Sequence, residues 1–258
     1  FSIFEVLEFT GDDIDTFIRK WFSAEDEKAK ELTRKLKKKP RLRALAGNPL
    51  LLALLCIIYD SRGLPERRYS IYEQCVDVLL KEWDEERRVV RVEEFSREDK
   101  KQLLQEIAFH FFRDGSRYFR KDKLLIVIKK FLPVLNISAQ RSEEILNEIS
   151  TQHGLIKEQA EGWFGFMHLT LQEYFAANEI YDRRLYSDVA KNSLKPWWEE
   201  VILLLAGKGD CTELLKTMLK QQDDIFNRNL LLAGKCLAEK PTLREVSLRE
   251  KVIKTLKD

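Results

Sequence analysis

The sequence predicts a mainly α-helical protein with one small β-hairpin, and three observations carry that prediction. Glycine and proline are sparse, 10 and 6 in 258 residues, so few positions break a helix. Apolar residues recur at helical spacing, as in Ile14, Phe17, Ile18 and Trp21, or in Leu103, Leu104, Ile107, Phe111 and Phe112. One stretch departs from this pattern: Leu155-Ile156-Lys157 and Trp163-Phe164-Gly165-Phe166 flank Gln159–Gly162, a hairpin signal.

Taken in order, residues 1–9 (FSIFEVLEF) read as one short strand. Thr10-Gly11-Asp12-Asp13 is a cap signal for a helix through Trp21 and Phe22. Residues 25–45 read as a charged helix, acidic first and basic last, in the order the helix dipole favours, with Pro40 interrupting it. Asn48 can cap the next helix and Pro49 suits its first turn, where a missing N–H costs nothing. Gly63 and Pro65 end it. A helix over about 70–88 follows, and charges after Glu85 suggest a linker.

Helices are then expected at about 97–113, 122–132 and 139–152, the last closed by Gly154. Three helices and a hairpin are the order of a winged helix, a helix-turn-helix variant. A helix from about Thr170 to Tyr186 follows the wing. The remainder reads as an α-helical, repeat-like tail in which the string LLLAGK occurs at 203–208 and again at 230–235. Trp197-Trp198 reads as an aromatic anchor for its first helix.

Composition and motifs exclude several functions. The chain has a hydrophobic fraction of 44%, which supports a buried core, and 45 Lys+Arg against 43 Asp+Glu, which gives no global pull toward nucleic acid or membrane. Cys56, Cys75, Cys211 and Cys236 form no C-x-x-C pair and read as small buried hydrophobes in a reducing compartment. His110, His153 and His168 lack metal-ligand spacing. No G-x-x-x-x-G-K-[ST] occurs. Gly207-Lys208 and Gly234-Lys235 lack the first glycine and the following Ser or Thr of a phosphate loop. The third helix sets Arg141 against Glu143, Glu144 and Glu148, and the wing sets Lys157 against Glu158 and Glu161, which argues against reading duplex DNA. The most apolar stretch, 45–59, is shorter than the roughly 20 residues a spanning helix needs, so no membrane partner and a cytoplasmic location are expected. The chain opens at Phe1 without an initiator Met, in what reads as mid-fold, so a fragment is expected.

Two strings carry a family resemblance. Ala46-Gly47-Asn48-Pro49-Leu50-Leu51-Leu52 looks like the helix start in the small helical domain of NACHT proteins. Phe166-Met167-His168-Leu169-Thr170-Leu171-Gln172-Glu173-Tyr174-Phe175-Ala176-Ala177 closely resembles the F-x-H-x-T-F-Q-E-Y-F-A-A string at the end of the NACHT winged helix, with Leu171 where Phe is common. The resemblance implies four parts: 1–24, the last strand and helix of a nucleotide-binding core; 25–92, the NACHT helical domain; 93–186, the winged-helix domain; and 187–258, a C-terminal helical domain. It implies a regulatory portion of a STAND-class signalling ATPase acting in defence or innate immunity. Such a portion senses ADP against ATP and couples that state to oligomerisation. Pro49 would lie against the adenine and His168 would donate a ring N–H to the β-phosphate of ADP. As local chemistry, Pro49 is equally a helix-start proline and His168 a capped histidine at a hairpin end. The phosphate loop and the Mg²⁺-binding residues of the family would precede Phe1. The chain alone is therefore expected to be no enzyme, to have no metal site and to hold ADP or ATP only weakly. Its expected partners are the upstream nucleotide-binding core of the parent and, on activation, further copies of itself. Two rival readings remain: a winged-helix nucleic-acid regulator, and a helical interaction scaffold with no nucleotide role.

Overall fold

The computed structural model describes residues 8–86, 95–152 and 155–257. The expected strand falls mostly on residues 1–7, the expected linker on 87–94 and the expected helix-closing Gly154 on 153–154, all outside the described residues. The chain divides into two compact units, Phe1–Val78 and Leu79–Asp258.

The first unit is helical. Helix α1 (Gly11–Trp21) opens with a reciprocal cap in which the Thr10 side chain accepts from the Asp13 N–H and Asp13 reaches back to the Thr10 N–H. It buries Ile14 and Ile18. The charged stretch forms two helices, α2 (Asp26–Lys38) and α3 (Pro40–Leu45). Proline cannot continue the first because it lacks an N–H and its ring crowds the preceding turn, yet it suits the first turn of the second. Ala29, Leu32 and Leu36 are the buried stripe of α2. Helix α4 (Pro49–Arg62) is buried nearly all round, through Leu51, Leu52, Leu54, Leu55, Cys56, Ile58 and Tyr59. Helix α5 (Arg68–Glu86) adds Tyr69, Ile71, Tyr72, Cys75 and Val76 to the buried set.

The second unit takes in the end of α5 from Leu79 and then α6 (Arg97–Arg113), capped reciprocally by Ser96 and Asp99. Strand β1 (Tyr118–Arg120), helix α7 (Lys121–Phe131), a 3-10 turn at Leu132–Leu135, helix α8 (Ser142–Asn147), strand β2 (Ile156–Ala160) and strand β3 (Trp163–Phe166) follow. The expected third helix enters through a 3-10 turn at Ala139–Arg141 and leaves through a π-turn at Glu148–Gln152. The sheet is antiparallel with strand order β1-β3-β2, and Gly162 supplies the positive φ of the β2–β3 turn. The sheet has one strand more than the expected hairpin. Three residues are too few for strand alternation to register, and β1 exists because β3 pairs with it.

Helix α9 (Leu169–Asp182) carries the longer of the two resemblance strings. Every residue from Leu171 to Ile180 is buried, because α9 packs against both α6 and α11 (Pro196–Lys208). It stops four residues short of the expected end, where Arg184 turns left-handed, and a short helix, α10 (Tyr186–Ala190), restarts the chain. Trp197 and Trp198 are the expected anchor. The Trp197 indole N–H donates to the Phe112 carbonyl at 3.0 Å and its ring stacks on Phe112 at 4.9 Å, while Trp198 meets the same ring edge-on at 5.1 Å. Helices α12 (Thr212–Lys220), α13 (Arg228–Ala238) and α14 (Val246–Thr255) complete the tail, with α13 packed against α11, α12 and α14. Among the described residues no helix is long and apolar enough to cross a membrane.

Candidate functional site

The two residues expected to face nucleotide both sit at helix starts. Pro49 is the first residue of α4 and is half-buried. The Asn48 side chain accepts from the Leu51 N–H at 3.0 Å, which fixes the turn that presents the proline. Gly47 is buried just before it, and its carbonyl accepts from the Phe9 N–H at 2.7 Å. The local architecture therefore accounts for Pro49 as a helix-start residue and leaves part of its ring accessible.

His168 is the N-cap of α9. Its Nδ1 lies 3.3 Å from the Thr170 N–H and 2.8 Å from the Thr170 hydroxyl. A backbone N–H can only donate, so Nδ1 accepts, and the neutral ring carries its proton on Nε2. The extended backbone before it is held by the Met167 N–H donating to the Leu155 carbonyl at 2.8 Å. The start of a helix of 14 residues adds partial positive charge beside the ring, where anions are stabilised. Thr170 is the residue that sequence reasoning missed. The signal was there, since a hydroxyl two residues after a cap can bond its ring. Gln172, Glu173, Tyr174 and Phe175 are buried helix-packing residues. Phe175 meets Phe166 of β3 at 6.0 Å, which buries it against the wing. Pro49 belongs to the first unit and His168 to the second.

The other candidates resolve simply. Cys56, Cys75, Cys211 and Cys236 are all buried free thiols, and burial pushes Cys56, Cys75 and Cys211 up to about 12, which leaves them unreactive. Both Gly-Lys pairs lie inside helices. Lys208 is bonded to Asn178 Oδ1 at 2.6 Å and to Asp182 Oδ1 at 3.0 Å, and Lys235 is paired with Glu199. No cluster of three metal-ligating side chains occurs among the described residues. On α8 the exposed carboxylates are Glu143 and Glu144. Arg141 pairs with Glu144 at 3.0 Å, which holds that carboxyl below its usual range, so the helix has no free cation from Arg141 to offer a DNA backbone.

One cluster had no counterpart in the sequence reading. Glu179 of α9 and Glu106 of α6 share Arg183, whose Nε lies 3.1 Å from Glu179 and whose Nη1 lies 3.4 Å from Glu106. Burial pushes the Glu179 carboxyl up to about 7; Arg183 opposes the shift, and Glu106 and Asp182 add to it.

Comparison with known families agrees with this architecture. Residues 68–180 match the family described as the winged helix-turn-helix domain C-terminal to NACHT. That span takes in α5 as well as α6 to α9. The match, over somewhat less than half of the chain, supports a NACHT-family C-terminal region with a winged helix within 68–180. No curated protein matched the chain.

Proposed function

We propose that this chain is the regulatory part of a NACHT nucleotide switch, in which the winged helix reports whether the parent's core holds ADP or ATP. The observation that carries the proposal is the state of His168. Thr170 bonds Nδ1, which makes Nε2 the donor atom of the ring at the start of α9. A donor in that position suits the terminal phosphate of a diphosphate, and Pro49 suits the flat face of an adenine. Bonded to ADP, the winged helix would be held; without that bond it would be released to favour oligomerisation and signalling. A switch requires such a differential contact between its two states. The phosphate cradle, Mg²⁺ and hydrolysis would belong to the core, and this chain alone would bind either nucleotide weakly. Signalling in defence follows from the family resemblance.

The test uses a protein that joins this chain to its NACHT core and compares His168→Leu with His168→Asn. Asparagine keeps a helix cap but removes the Nε2 donor. Both variants are expected to weaken ADP relative to ATP by roughly tenfold, the value of one hydrogen bond to a charged group, and to raise the oligomeric fraction. An unchanged ADP-to-ATP preference in His168→Asn would remove the nucleotide role and favour the helical scaffold.

A further inference from the structure

Helices α13 and α14 pack against each other. The first turns Leu232, Ala233 and Cys236 into the core, and the second turns Leu248 and Val252. Their outer sides are apolar as well. Leu231 is 51% exposed and Val246 is 71% exposed, and Ile253 and Leu256 are also open to solvent. Val246 and Ile253 stand two turns apart on one line of α14, with Leu256 a turn further on. Leu256 reaches across to α13, where a Cβ on Gly234 would meet its Cδ1 at 2.7 Å. Gly234 lies one turn beyond Leu231 on the same side of α13. The two rows therefore meet in one apolar strip, about 15 Å long from Val246 to Leu256. Cations border it. Arg249, Lys254 and Lys257 are exposed, and none of them pairs with a carboxylate among the described residues. The single carboxylate of α14 is Glu250.

The geometry points to this strip as the docking site for an acidic amphipathic helix of a partner protein. Apolar side chains at one- and two-turn spacing are what an amphipathic helix meets through its own anchors at i, i+3, i+4 and i+7. The molecule itself shows such cover. Leu204, the second letter of LLLAGK in α11, is fully buried, and α11 packs against α9. Leu231 is the second letter of the same string in α13 and has no such helix over it. Charge selects the sign of the partner, because three unpaired cations against one carboxylate favour glutamate or aspartate on the arriving helix. No aromatic ring stands in the strip, so unpaired bases have nothing to stack on. Glu250, one turn from Val246, sets a bilayer apart from a helix. A helix can place a polar side chain opposite that carboxylate, whereas the apolar interior of a membrane cannot.

The test measures fluorescence anisotropy of a labelled synthetic peptide of about five helical turns, leucine on one face and glutamate on the other, against the full chain. A twin with lysine for glutamate, a scrambled order of the acidic peptide, and phosphatidylserine vesicles are run beside it. The acidic peptide is expected to bind most tightly and to weaken as salt rises. Val246→Asp is expected to lower its affinity roughly tenfold. Aspartate suits the first turn of α14, so this variant keeps the fold, which circular dichroism checks. Lys254→Glu is expected to lower the affinity and flatten the salt dependence. The proposal is overturned if the acidic peptide does not bind, if the lysine twin or the scrambled order binds equally well, or if Val246→Asp changes nothing. Retention on the vesicles that Val246→Asp abolishes, without peptide binding, would assign the strip to a membrane surface. Self-association in sedimentation that Val246→Asp abolishes and the peptide does not displace would assign it to a second copy. None of these outcomes depends on His168, so the nucleotide switch stands or falls separately.

Discussion

The string LLLAGK occurs twice, in α11 and in α13, and the two copies live in different environments. In α11, Leu203, Leu204, Leu205, Ala206 and Gly207 are all buried. In α13 only Leu232 and Ala233 of the string are buried, and Leu231 is 51% exposed. The terminal lysines differ as well. Lys208 is tucked against α9 between Asn178 and Asp182, with the Tyr181 ring 4.9 Å away, while Lys235 makes a surface pair with Glu199. The same six letters fold into helix both times because their propensity is local. Whether that helix is a core element or a half-wet one depends on what packs around it. Helix α11 lies against α9, which carries the family string, so the first copy belongs to the heart of the second unit.

Substitutions can break this contrast, and the largest effect belongs to the buried copy. Leu205→Ala should cost about 3 kcal/mol in urea unfolding, since a fully buried leucine loses its transfer energy and leaves a cavity. Leu231→Ala in the second copy should stay within about 0.5 kcal/mol. Equal losses would mean that α13 is as enclosed as α11.

The next effect lies on the α9 face that meets α6. Folding raises Glu179 from its ordinary 4.5 to about 7, so the native state binds that proton more tightly than the unfolded state. The stability this allows is fully present below about pH 4.5 and is lost as pH rises through about 7. Wild type should therefore lose stability between pH 5 and pH 8, while Glu179→Gln, a neutral mimic of the protonated acid, should stay flatter. At pH 8 the variant should be the more stable by on the order of 2 kcal/mol. Parallel pH profiles would show that Arg183 fully compensates the buried charge.

The lysines sharpen the comparison further. Lys208→Met should cost about 1.5 kcal/mol, the value of hydrogen bonds to a charged group in a part-buried site. Lys235→Met should cost no more than about 0.5 kcal/mol, as exposed pairs do. A Lys235 loss as large as that of Lys208 would contradict the surface position of its pair.

Much of the fold was legible because its signals are short-range. Thr10 with Asp13, Asn48 with Pro49, and the run from Leu103 to Phe112 each announce a helix through caps and spacing that a few residues carry. The twelve residues from Phe166 to Ala177 announced the family, and the match over 68–180 agrees. The Trp197-Trp198 pair was legible as an anchor, though its target, Phe112, was not. What escaped is what distant segments decide together. Strand β1 is too short to show alternation and takes its form from pairing with β3. The Glu106–Arg183–Glu179 cluster joins helices about seventy residues apart in the chain, and no local pattern marks it.

Helix starts and stops, the wing turn at Gly162 and the tautomer of His168 follow from residues within a few positions of one another, so the amino-acid order was enough to specify them. Burial and the ionisation of Glu179 follow from neighbours brought in by folding. A side chain's solvation depends on everything within a few ångströms, and only tertiary packing determines what that is. The strip shared by Leu231 and Leu256 belongs with this second group, because α13 and α14 had to pack before it existed.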